Sequence, residues 1–233
     1  DPGHDDVMAL LYLLANKSVE VLAITTVAGN STIENTTRNA QYVLDLMDEP
    51  NIPLFSGAAK PLKRLLIQAV VHGASGLDGI NPTNPYKLTN DAPEQIINLL
   101  QKYPGEVSIL AVGPLTNIAA AITLNRQAMC LAKEIVIMGA AFSVPGNKNR
   151  VAEFNIFVDP EAAAIVLDLP VRKVFVPLDA CNDIQLTLKD FAAITNSTIR
   201  KALLKMCTPY ITNLKSDMDA RGALMYDALA AFY

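Results

Sequence analysis

VSILAVGPLTNIAAAITLNRQAMCLAKEIVIMG, residues 107–139, decides the fold. Its two ends, Val107–Val112 and Glu134–Gly139, are short and almost wholly apolar. Neither alternates with polar residues, so each reads as a strand buried on both faces, as in a parallel sheet. Parallel neighbours need a crossover, and Leu115–Leu124 has the composition of a helix. The same alternation extends in both directions. Toward the N-terminus lie a strand at Val19–Val27, a helix at Thr36–Met47, a short strand at 52–55 and a helix at Ala92–Tyr103 with proline in its first turn. Toward the C-terminus lie a helix at Asp159–Leu169 capped by Asp159, a strand at Lys173–Asp179, and helical stretches from Leu188, Ser197 and Asp219. The pattern predicts one α/β domain over residues 1–233: a mostly parallel, doubly wound, Rossmann-like sheet with helices on both faces.

Composition narrows the partners. The 233 residues are 51% hydrophobic and 18% charged, enough for a sizeable core. The net charge is -4 with no Lys/Arg block, which argues against nucleic acid. No apolar run has the length of a membrane span and no leader peptide is legible, so the expectation is a cytoplasmic protein. Cys130, Cys181 and Cys207 are too few and too scattered for a disulfide framework or a zinc site, and read as buried free thiols. Residues 60–90 are rich in Gly, Pro and Asn and contain His72; so long an irregular insert reads as a lid or binding loop.

In such sheets ligands bind beyond the carboxyl ends of the strands, which directs attention to Asn30, Gly113, the segment 139–155 and Asp179. The chain opens DPGHDDVMAL, placing Asp1, Asp5 and Asp6 at the start of a helix. A helix dipole favours an acid there by roughly 0.3–1 kcal/mol. That accounts for one acid comfortably and for three poorly, because like charges this close repel. A hard cation resolves the conflict, and Ca²⁺ takes roughly six to eight oxygens. A second group, Asn147, Glu153 and Asn155, lies in GNKNRVAEFNIFVDPEA; if extended, Glu153 and Asn155 share a face. Amides with a carboxylate suit a ligand bearing several hydroxyls, while a loop satisfying its own backbone is the plainer reading. Asp227 is a lone acid in ALMYDALAAFY and needs a partner, either a cap, an ion pair or a metal.

Taken in order, DPGHDD, ITTVAGN, TTRNA, HGASGLDG, GPLTNIA, IVIMG and AEFNIFVDPEAA resemble the inosine–uridine nucleoside hydrolase family along essentially the whole chain. The resemblance implies hydrolysis of the N-glycosidic bond of ribonucleosides to ribose and free base, with one tightly held Ca²⁺. By position, Asp1 resembles the general base that also touches Ca²⁺. Asp6 and Asp227 resemble carboxylate ligands of the metal, and Val112 the residue that ligates through its carbonyl. Asp5, Asn147, Glu153 and Asn155 resemble the ribose binders, with Asn30 beside them. His72 matches a catalytic-loop histidine over the base, and His4 receives no role. Tyr226 stands where many members carry a histidine that protonates the leaving base; stacking, hydroxyl donation and packing all remain open for it. Members are commonly homo-oligomers. They also carry a strand before the opening motif and continue past the position of Asp227, which implies a chain cut at both ends. With Tyr226, those ends leave an alternative: a nucleoside- or ribose-binding module without turnover.

Overall fold

The computed structural model describes residues 1–218 and 220–233. The first half runs α1 (His4–Ala15), β1 (Ile24–Thr26), α2 (Ile33–Met47), β2 (Leu54–Ser56), a 3-10 turn (Val70–His72) and α3 (Ala92–Lys102). It continues through β3 (Ser108–Ala111), α4 (Thr116–Leu124), α5 (Arg126–Met129) and β4 (Glu134–Met138). Next come α6 (Phe154–Val158), α7 (Pro160–Leu167), β5 (Lys173–Val176) and α8 (Leu178–Cys181). The chain closes with β6 (Gln185–Leu186), α9 (Leu188–Ala192), α10 (Ser197–Met218), β7 (Ala223–Leu224) and α11 (Tyr226–Phe232).

The stretch 107–139 forms the expected parallel crossover, with Ser108 opposite Glu134 and Ala111 opposite Ile137. β5 joins the other edge of β4, so β4 is the central strand and all five of its residues are buried. Its side chains alternate between two cores, as the two-residue period of a strand requires. Ile135 and Ile137 pack with Leu100 of α3, Ile118 of α4 and Val166 of α7. Val136 and Met138 pack with Val7 of α1, Tyr210 of α10 and Ala230 of α11. Helices therefore cover both faces.

The parallel strands fall into two sheets rather than one: β3-β4-β5 and the pair β1-β2. A small antiparallel pair, β6-β7, lies apart. Asn117 of α4 ties β1 to the first group, donating from Nδ2 to the Thr26 carbonyl (2.8 Å) and accepting from the Ala58 amide (2.8 Å). The strand expected over 19–27 is confined to Ile24–Thr26. Ile24 donates to the Pro53 carbonyl (2.9 Å), and the ladder would next need an N–H from residue 53, which proline lacks. The last helix begins at Tyr226 after β7; Asp219, its expected start, lies outside the described residues. Cys181 and Cys207 are buried and free as expected, whereas Cys130, just past the end of α5, is exposed. Among the described residues no helix is long and apolar enough to cross a membrane.

Candidate functional site

The N-terminus of α1 sits where the loops after β1, β3 and β4 converge. Asp5 and Asp6 occupy its first turn and Asp227 the first turn of α11. One carboxylate oxygen from each lies within 4.8 Å of the others, in a fully buried setting, so the three could hold a metal ion. Burial, reinforced by the Asp6 charge, raises the Asp5 carboxyl to about 8. Burial and then the Asp5 charge hold the Asp227 carboxyl well above the usual carboxylate range. The Asp5 Oδ1 and Asp1 Oδ1 atoms are buried without a hydrogen-bond partner. A cluster left in this state is costly, and an oxygen-loving cation removes the cost.

Asn30 organises these acids. Its amide donates to Asp1 Oδ2 (2.7 Å), and its Nδ2 donates to the Asp1 carbonyl (3.2 Å) and to Asp6 Oδ2 (3.0 Å). Asp6 Oδ2 also caps α1 by accepting from the Gly3 amide (2.9 Å). Gly29 and Gly113 flank the Asp1 carboxylate so closely that a Cβ on either would lie 2.1 Å from it. The glycines in ITTVAGN and GPLTNIA thus make room for one side chain.

A cavity of about 310 Å³ opens beside the acids. Asp5, Asn30, His72, Val112, Asn147, Glu153, Asn155, Tyr226 and Asp227 all line it, with Met138, Phe154 and Tyr210. Asp1 and Asp6 are not among its lining residues. A separate open groove between α4 and α7 has Arg126 and Asp168 as its charged lining, and these already pair with each other (2.9 Å).

Glu153 and Asn155 do not share an extended face, because this segment turns into α6. Glu153 is the N-cap, accepting from the Asn155 amide (2.8 Å) and the Ile156 amide (3.0 Å). Burial nonetheless raises its carboxyl to about 7. Asn155 donates to the Met138 carbonyl (3.3 Å), and Asn147 accepts from the Phe154 amide (2.9 Å). The plainer reading of these residues, loop groups satisfying their own backbone, therefore holds alongside their place on the cavity wall. Tyr226 donates its hydroxyl to Asn182 Oδ1 (3.4 Å), and burial pushes that hydroxyl above its ordinary range.

The 60–90 insert contributes Ala69–His72 to the cavity and is anchored by the buried Leu77. It brings His72 against His4, with the two Nδ1 atoms 3.0 Å apart. Tyr210 of α10 lies parallel to both rings, at 4.6 Å from His4 and 5.3 Å from His72. Sequence reasoning passed over His4 and Tyr210. The histidine inside DPGHDD was the available signal; Tyr210 follows Pro209 in an ordinary helical pattern and carried none.

The sequence profile described as inosine-uridine preferring nucleoside hydrolase matches residues 1–233. The chain belongs to that family. Nucleoside hydrolases of this family generally depend on a metal ion. A Schizosaccharomyces pombe protein is 43% identical over 196 residues, covering 82% of this chain and 63% of its own length. The pyrimidine-specific ribonucleoside hydrolase RihA of Salmonella agona is 42% identical over 218 residues, covering 90% of this chain and 70% of its own. A solved plant nucleoside hydrolase superposes with a TM-score of 0.93 at 32% identity, over 100% of this chain and 75% of its own. The chain thus spans a little under two thirds of the first of these relatives and about three quarters of the plant enzyme.

Proposed function

We propose that the protein hydrolyses the N-glycosidic bond of ribonucleosides, giving ribose and free base, with Ca²⁺ at the acidic cluster. One observation carries this reading: three buried carboxylates converge beside a cavity walled by amides and rings. The donor set fits a hard cation, since it is all oxygen and includes buried carboxylate atoms with no other partner. Asp1, Asp6, Asp227 and the Val112 carbonyl would hold it, with Asp5 alongside. Bound there, Ca²⁺ supplies positive charge that offsets the carboxylates and acidifies water.

The chain's own residues supply the rest. Asp1 is the general base: Asn30 fixes Oδ2, and Oδ1 is free to take a proton. Asp5 and Asn155 hold the ribose hydroxyls, with Asn147, Glu153 and Asn30 completing the sugar side. Such positioning can contribute roughly 7–11 kcal/mol toward the barrier. His72 and Tyr226 face the base, where a buried phenol that keeps its proton can stack or donate.

A reducing-sugar assay over inosine, uridine and cytidine tests the reading. Ribose release is expected from the metal-loaded protein, lost after exhaustive chelation and restored by Ca²⁺. A nucleoside that binds in calorimetry but is recovered intact would sink the hydrolase reading in favour of a binding module.

A further inference from the structure

His4 is completely buried, and both of its ring nitrogens are engaged. Its Nε2 lies 3.1 Å from the Asp78 carbonyl oxygen, and its Nδ1 lies 3.0 Å from His72 Nδ1. The two imidazoles are nearly parallel, at 18°, with centroids 5.3 Å apart. Nitrogens closer than the thickness of a ring stack mean that the rings meet edge to edge, with Tyr210 flat against the pair.

This geometry fixes the hydrogens. A carbonyl oxygen only accepts, so His4 carries its hydrogen on Nε2. A neutral imidazole has one ring hydrogen, so His4 Nδ1 offers a lone pair. His72 must then carry its hydrogen on Nδ1. Its Nε2 is left as a lone pair near the cavity-lining Asp5, 3.8 Å from Oδ1. Two contacts oppose this order: the His4 amide lies 3.3 Å from His72 Nδ1, and the unpartnered Asp5 Oδ1 lies 3.8 Å from Nε2. Honouring them would set the His4 Nε2 lone pair against the Asp78 carbonyl, face two Nδ1 lone pairs across 3.0 Å, or put a charge inside a fully buried wall. Two long contacts, one of them beyond hydrogen-bond length, are the smaller loss.

We propose that His4 is a positioning residue: anchored on the Asp78 carbonyl, it fixes His72 as the Nδ1–H tautomer, so that His72 offers Nε2 to a bound nucleoside as a hydrogen-bond acceptor. The identity of the ligand rests on the function proposed above. The groups that match such an acceptor are a ribose hydroxyl or an N–H of the base. His72 in this state orients the substrate and does not protonate the leaving base. Both rings are buried, which disfavours a charge on either.

The sequence contains only two histidines, so ¹⁵N-histidine NMR reads the pair directly. In the protein as it stands, His72 is expected to show a protonated Nδ1 and an unprotonated Nε2, the latter shifting when uridine or inosine is added. His4→Phe keeps a flat ring on Tyr210 but removes the acceptor. It should release the His72 tautomer and lower kcat/KM about tenfold, the loss of one oriented hydrogen bond. His4→Asn, whose Oδ1 can stand in for Nδ1, should restore both. A wild-type His72 with its hydrogen on Nε2 overturns the inference, as does an unchanged His72 pattern in His4→Phe. If His4→Phe fails to fold, the wild-type spectrum alone still decides the tautomer. If the pattern is as expected but no nucleoside is cleaved, the hydrolase reading falls and the tautomer assignment stands.

Discussion

Replacing Asp227 with Asn separates the metal from the fold, because the two respond with opposite sign. In the metal-free protein the substitution removes one of three mutually repelling buried acids and should stabilise it by about 1–2 kcal/mol. The same change should weaken Ca²⁺ binding on the order of 10²-fold, since affinity follows the charge of the ligand set. Thermal melts with and without chelator, together with calcium titration, read both. Glu153 gives a second residue-scale test. Its carboxyl keeps a proton to about 7 in the folded state, against an ordinary value of 4.5. The native state therefore binds more protons than the unfolded chain across that window, and unfolding free energy falls as pH rises through it. Urea melts of Glu153→Gln should lose this slope between those two pH values. The acids and amides of the site were legible because their chemistry clashes with the apolar segments around them. His4 was not, because its meaning lies in the Asp78 carbonyl, 74 residues away.

Among elements, α4 does more than cross over. Asn117 bonds the end of β1 and the segment after β2, so the helix that crosses from β3 to β4 is fastened to the β1-β2 sheet. Asn117→Ala leaves a buried carbonyl and an amide without partners and should cost about 2–4 kcal/mol. Denaturant unfolding measures it, and a loss below ~0.5 kcal/mol would contradict the tie. The apolar runs named every strand of the parallel sheets, because a strand buried on both faces has no polar alternation to obscure it. Their ends were less legible. Val19–Val27 is strand-like in composition throughout, yet only three residues pair. The limit is set by Pro53 on the partner, information that the run itself does not hold. Likewise Glu153 and Asn155 looked like one face of an extended segment, until Glu153 turned its carboxylate onto the amides that begin α6.

For the molecule as a whole, the acidic cluster joins the two ends of the chain: Asp5 and Asp6 come from α1, Asp227 from α11, and Asp1 is wedged between the loops after β1 and β3. A ligand that binds only this assembled form stabilises all of it. At 100 times its Kd, Ca²⁺ should add about 2.7 kcal/mol. For a chain of this size that raises Tm by roughly 5–10 °C. Scanning calorimetry across a calcium series checks this; a Tm indifferent to calcium would speak against a native site.

Asn30 has one more property. It begins Asn30-Ser31-Thr32, an acceptor sequence for N-linked glycosylation. In the folded protein the nitrogen that would carry the sugar is buried and donates to Asp1 and Asp6. An oligosaccharide attached there before folding would take one of those hydrogens and fill the space beside the acids. For this chain, modification at Asn30 and an assembled acidic cluster exclude each other.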